Sequence, residues 1–292
     1  MFFFPDKNTP VLFQGITSVM GRFQAELAVT YGTCVVAGVS HEISGKLGDI
    51  PLYSSVAKAM RAQKPKISVV FSTPQQALSD VLEAIKAKIP LIICTTEHVP
   101  MHDALKMKLA AYEAGVTLLG PSSAGILNVG QAVTGTIPTS LFPSGNIALI
   151  GRSSSLMFEA AQQLSAVGLG VSKCVSLGAD HLIGTSFISI VEALNTDNST
   201  KAILVIGQVH GTLEQELATF YAQKHPKKMF VYIPGKTLAR SDKAPLLGMK
   251  SVLFSDVIQD KKERFLKAKA LWIDSPDKIG QTIYDTLRGK KK

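Results

Sequence analysis

The chain has 292 residues, 46% hydrophobic and 18% charged, with a mean hydropathy of +0.21, which excludes a disordered or fibrous chain and leaves room for about two ordinary domains. Lys and Arg number 31 against 22 Asp and Glu, a formal net charge of +9 that favours anionic partners. No apolar run approaches the roughly 18 residues of a membrane span, and 3 widely spaced Cys argue against a disulfide framework or a zinc site.

The sequence opens MFFFPD, with neither the cationic stretch nor the long apolar core of a targeting signal, so a cytoplasmic protein is expected. VLFQG (11–15), CVVAGVS (34–40), ISVVFST (67–73), PLIICTT (90–96) and TLLGPS (117–122) are too short and too continuously apolar for helices, and read as buried parallel strands. Between them, apolar residues return at helical spacing over 23–31 and 78–89, and Gly32 and Gly115 stand where helices should stop. A Gly-, Pro-, Ser- and Thr-rich stretch at about 121–145 reads as a linker between a domain at 1–122 and a second at 123–292. NIALIG (146–151), SKCVSLG (172–178), KAILVIGQ (201–208) and MFVYIPG (229–235) are the second domain's strands. The fold class is α/β, two successive strand and helix series with mainly parallel sheets.

Cys34, Cys94 and Cys174 sit inside apolar runs, as free thiols of a reducing compartment do. Lys261, Lys262, Arg264, Lys267 and Lys269 fall on one predicted helix and Lys290, Lys291 and Lys292 close the chain. Without interleaved aromatics, this basic charge reads as a solvated face and argues against nucleic acid.

Ligands of open parallel sheets bind beyond the carboxyl ends of the strands, so the loops opening there carry the chemistry. GITSVMG (15–21) matches neither the dinucleotide fingerprint nor the P-loop, and serves equally as a tight turn or a phosphate cradle. Ser153, Ser154 and Ser155 read as a helix cap able to hold an anion, since no nucleophile elbow surrounds them. His41, His98, His102 and His225 show no metal-ligand spacing, and no metal is expected.

DKNTPVLFQGIT (6–17), ELAVTYGT (26–33), LEAIKAKIPLIICTTEHVP (82–100), EAGVTLLGPSSAGI (113–126), GRSSSLMFEA (151–160) and GTSFISIVEAL (184–194) together resemble the α subunit of succinyl-CoA synthetase, nearly end to end and in order. The resemblance implies an amino-terminal Rossmann-type CoA-binding domain followed by a flavodoxin-like ligase domain. It also implies a β-like partner subunit, which handles the nucleotide, or self-association. The family joins a carboxylic acid to CoA through acyl phosphate and phosphohistidine intermediates.

By that resemblance Thr17, Ser18, Val19, Met20 and Gly21 form the first CoA loop, and Thr95, Thr96 and Glu97 form a second CoA-contacting segment. Lys46 reaches toward the place of a family lysine. Ser122 and Ser123 stand for a family Asn and Cys, and Phe158 for a tyrosine of the substrate site. The chemistry departs from the family where Leu246 takes the place of the phosphoryl-accepting histidine, with no histidine anywhere in 236–271. Gln208 replaces the glutamate that orients it.

The leading expectation is therefore a CoA-binding protein of this family, impaired in phosphohistidine-dependent ligation. An active acyl-CoA ligase or thioester-handling enzyme with His210 or His181 as a relocated acceptor is the alternative. A binding module for an anionic partner is the third.

Overall fold

The computed structural model describes residues 2–40, 45–224, 227–235 and 254–289. The first sheet is built from β1 (Val11–Gln14), β2 (Val35–Val39), β3 (Gly45–Leu47), β4 (Ile50–Tyr53), β5 (Ile67–Val70), β6 (Leu91–Cys94) and β7 (Thr117–Leu119), in the spatial order β3-β4-β2-β1-β5-β6-β7. Only β3 runs antiparallel to its neighbour β4; the other described pairings in this sheet are parallel. Every residue of β1, β5 and β6 is buried, as expected of strands covered on both faces by crossover helices.

Those helices are α1 (Val19–Tyr31), α2 (Val56–Gln63), α3 (Ala77–Lys86) and α4 (Met101–Glu113). The Oγ of Ser18 caps α1 by accepting from Gly21 N at 3.0 Å, and Gly32 ends the helix at φ 100°. α3 buries Ala77, Val81, Ala84 and Ile85, one face of a 3.6-residue period.

The second sheet contains β8 (Gly125–Asn128), β9 (Ala132–Gly135), β10 (Ser144–Gly151), β11 (Val171–Ser176), β12 (Ala202–Ile206), β13 (Lys228–Tyr232) and β14 (Leu271–Trp272), ordered β14-β13-β12-β10-β11-β8-β9. α5 (Ser154–Ala166), α6 (Phe187–Asn195), α7 (Leu213–Lys224), α8 (Phe254–Lys267) and α9 (Ile279–Leu287) accompany it. The sequence reading found the long parallel strands and missed β3, β4, β8, β9 and β14. Its linker segment is woven into the second sheet, since β8 pairs antiparallel with β11 and β9 with β8. Lys46, read as a loop residue, lies exposed on edge strand β3 opposite Pro51.

The strand order reverses beside β1 in the first sheet and beside β10 in the second, which places a crevice at the carboxyl end of each. Residues 120–123 join the two sheets at these ends. Gly120 N donates to Leu177 O at 2.8 Å, Ser122 N to Thr96 O at 2.9 Å, and Ser123 Oγ to Ser176 O at 2.6 Å. Backbone and side-chain bonds thus tie the end of β6 to the end of β11.

Candidate functional site

Two cavities open along this seam. The larger, about 560 Å³, is lined by Met20, Phe71, Thr95 and Glu97 from the first sheet and its helices, by Ser122 and Ser123 from the connecting segment, and by Arg152, Ser153, Ser154, Ser155 and Gln208 from the second sheet's loops, among others. The smaller, about 340 Å³, lies at the mouth of β1 and the start of α1, with Gly15, Thr17, Ser18, Ser40, Ser72 and Thr73 in its wall. Phe71 lines both, so they adjoin.

The loop before α1 is drawn tightly onto the helix. Ser18 Oγ donates to Gly15 O at 2.8 Å while accepting from Gly21 N, and a Cβ on Gly21 would stand 2.2 Å from Gly15 O. α1 carries no acidic residue in its first turn, so its positive end opens toward the smaller cavity, where the carboxylate in the wall is Asp80, which accepts from Ser72 Oγ. Val19, 91% exposed, lines neither cavity. Thr96 is buried with its hydroxyl bonded to Ser72 O at 2.9 Å, and Thr95 Oγ1 donates to Val70 O at 2.7 Å. These two threonines hold the turn, and Glu97 projects from it exposed.

On the other side, Ser153 is the cap residue of α5 without a side-chain capping bond. Beside it Arg152 is only 1% exposed, donating through Nη2 to Asp180 O at 2.5 Å and through Nε to Gly178 O at 3.4 Å. Burial pushes its guanidinium below the ordinary value, while Glu214 and Asp180 oppose that shift. Burial also pushes the Asp180 carboxyl up.

Gln208 lines the cavity and reaches Ala179 O through Nε2 at 3.4 Å. His210 and His181 meet ring to ring, 4.4 Å between centroids, yet neither lines either cavity. His210 Nε2 is buried with no hydrogen-bond partner among the described residues, and burial, Arg152, His181 and Lys261 push its pKa down to about 4. Phe158 packs edge-on against Phe142, outside both cavities. Lys46 is likewise absent from both walls, and Leu246 lies outside the described residues.

The site therefore gathers Thr17, Ser18, Met20, Thr95, Glu97, Ser122, Ser123, Ser153, Ser154 and Gln208 around one seam, and leaves Val19, Lys46, Phe158, His181 and His210 out of the cavity walls. Arg152, the second residue of the motif GRSSS, carries no sequence signal for its place in the wall. Nor does the sequence reveal the burial of Glu214. Lys261, expected on a solvated basic face, is instead 0% exposed and paired with Glu214 at 2.7 Å. Among the described residues no group of three or more His, Cys, Asp and Glu could hold a metal, and no helix is long and apolar enough to cross a membrane.

Comparison with known proteins fits this geometry. Residues 6–98 match the CoA binding domain family, and residues 144–260 match the succinyl-CoA ligase like flavodoxin domain. The succinate–CoA ligase [ADP-forming] α subunit of Aquifex aeolicus is 34% identical over 286 residues, covering 97% of this chain and 94% of the relative. α subunit 2 of the same ligase from Archaeoglobus fulgidus is 37% identical over 233 residues, covering 80% and 81%.

Among solved structures, ATP citrate lyase from Methanothrix soehngenii, in complex with citrate and coenzyme A, superposes with a TM-score of 0.81 at 20% identity. All of this chain is covered, but it spans only 52% of the lyase chain, so that likeness speaks to the fold. A dinucleotide-forming acetyl-coenzyme A synthetase from Ca. Korarchaeum cryptofilum gives 0.75 at 17% identity, with 92% of this chain and 58% of that one covered.

Proposed function

The chain belongs to the succinate–CoA ligase α-subunit family, and from that premise we propose that it is a CoA-binding, α-type subunit that does not carry a phosphoryl group on histidine. The observation that supports CoA most directly is the seam itself, where the smaller cavity adjoins one walled by both domains. The polar wall suits the ligand: Thr17, Ser40 and Thr73 stand at the positive end of α1, where phosphates would be held, and the Asp80 carboxylate, bonded by Ser72 Oγ, would accept from a sugar hydroxyl. When bound, CoA supplies the thiol. Thr95 and Thr96 fix the turn that presents Glu97 to the larger cavity, and Arg152 with the start of α5 gives that cavity a positive end.

Loss of the phosphohistidine step rests on residue chemistry. Leucine at 246 has no nucleophilic atom, the sequence holds no histidine from 236 to 271, and Gln208 brings an uncharged amide where the family uses a carboxylate. The relocated-acceptor reading draws on the close approach of the His181 and His210 rings, tilted 47° to one another. It is opposed by the burial of His210 Nε2 and the absence of both rings from the cavity walls.

A β-type partner would supply nucleotide handling. A protein partner is further supported by the exposed apolar face of α4, where Met101, Leu105, Leu109 and Tyr112 follow one another at helical spacing.

Calorimetric titration of the chain with CoA, with desulfo-CoA and free nucleotide as controls, tests the ligand. Saturable binding that weakens on Thr17→Val substitution is expected, and silence at millimolar CoA would overturn it. Incubation with labelled nucleoside triphosphate and a β-type subunit tests the second half. No acid-labile phosphoryl group is expected on the chain, and its appearance would restore the relocated-histidine reading.

A further inference from the structure

Behind the cavity wall lies a charged pair that neither the family's reaction nor the CoA site calls for by itself. Glu214 sits in the first turn of α7 and Lys261 in α8, both with side chains 0% exposed and 2.7 Å apart. Their remaining hydrogen-bonding capacity goes to a single stretch of backbone. Glu214 Oε1 accepts from Gln208 N at 2.9 Å. Lys261 Nζ donates to Gln208 O at 2.8 Å, with His210 O at 3.5 Å.

Gly207, at the same turn, has no room for a side chain: a Cβ there would stand 2.8 Å from Glu214 Cγ and 3.0 Å from Oε1. The turn after β12 is thus gripped through both the donor and the acceptor of Gln208, by two ions that have given up their hydration to do so. Burying an ion pair is costly and a hydrophobic pair of similar volume would often be as stable, so fold stability alone does not account for it. What the charges add is direction, because each fixes a particular backbone atom.

We propose that Glu214 and Lys261 are positioning residues, which lock the Gln208–His210 turn so that Gln208 faces the shared cavity in one orientation. The pair also couples that wall to α8, the first described element after residue 253. The proposal rests on the reading of the cavity as the ligand site for its consequence, but not for its geometry.

The test compares Glu214→Gln, Glu214→Leu and Lys261→Met in the full chain, by amide hydrogen exchange across residues 207–211 and by CoA titration. Strand β12 in the same molecules reports whether the fold is intact. Glu214→Gln keeps an oxygen that can accept from Gln208 N and should preserve most of the turn's protection. Glu214→Leu and Lys261→Met should raise exchange in the turn about tenfold or more while β12 stays protected. CoA affinity should fall in step, severalfold in those two variants and little in Glu214→Gln.

Should Glu214→Leu fail to fold, Lys261→Met gives the same reading through the carbonyl contacts. Unchanged exchange in the turn of every folded variant would overturn the proposal, as would a Gln variant no better than Leu. Absence of CoA binding by the unaltered chain would instead strike the ligand reading, and the exchange data would still decide the positioning role.

Discussion

Arg152, at the end of β10, donates through Nη2 to the carbonyl of Asp180 beyond β11, at 2.5 Å. Its Nε donates to Gly178 O, and no carboxylate among the described residues forms a salt bridge with it. A guanidinium buried to 1% exposure and held by neutral carbonyls keeps a positive field at the wall of the 560 Å³ cavity. Arg152→Met should therefore lower affinity for CoA and for inorganic phosphate about tenfold. It should also cost about 1–3 kcal/mol of stability, because two carbonyls lose their donor. Calorimetry and chemical denaturation of the variant check the two effects separately.

The tight loop before α1 makes a sterically sharp prediction. Gly21→Ala would drive a methyl to within 2.2 Å of Gly15 O and 2.9 Å of Ser18 Oγ, so the capping bond and the loop cannot both persist. A loss of about 1–3 kcal/mol is expected from the overpacking. CoA binding should weaken along with it, because Gly15 and Ser18 line the smaller cavity. Gly32→Ala is the control: open space surrounds its Cβ, so only the cost of φ 100° should register.

Acidification separates two titrating groups by window. His210 is pushed down to about 4 from an ordinary 6.5, by burial first and then by the nearby cations. Between those values the unfolded chain takes up a proton that the fold refuses, so stability falls as pH drops through that window. Asp197 is held at about 2: burial pushes it up, but hydrogen bonds from Lys173, Thr200 and Ser199 outweigh that. Its contribution is present above its ordinary 3.8 and is lost only as pH falls toward 2. The melting temperature of the unaltered chain should thus decline from about pH 6.5 to about pH 4.5, and His210→Gln should flatten that decline. Parallel curves for the two proteins would rule out His210 as the source.

How much of this was legible in advance depended on how each residue signals its environment. ISVV and LIIC announce buried parallel strands because no charged residue interrupts them. β8 and β9 hid in a segment whose glycines suggested a linker, yet a Cβ on Gly125 would meet Thr134 O at 1.7 Å and one on Gly135 would meet Ala124 O at 2.3 Å. Those glycines permit close strand pairing rather than looseness. The loops of the site could be located from strand ends alone, since topology dictates where a parallel sheet opens. Lys261 could not, because a charged residue on an amphipathic helix looks the same in sequence whether it faces water or a buried carboxylate.

The junction of the two sheets offers a last test, at residues outside the walls of both cavities. Thr33, just after the end of α1, donates through Oγ1 to Val133 O and accepts from Val133 N, both at 2.9 Å, so one hydroxyl satisfies both backbone groups of a residue in β9. Thr33 is 4% exposed, and water has little access to replace it. Thr33→Val keeps the shape of the side chain but strands a buried N–H and a buried C=O, at about 1–3 kcal/mol each. Thr33→Ser keeps the hydroxyl and loses one methyl, at a cost of about 1 kcal/mol. Urea denaturation should therefore place the Val variant well below the Ser variant in midpoint. A Val variant as stable as the Ser variant would mean that this hydroxyl adds nothing to a junction already held by its other contacts, such as Thr185 Oγ1 to Leu118 O at 2.6 Å and Asn128 Nδ2 to Pro5 O at 2.8 Å.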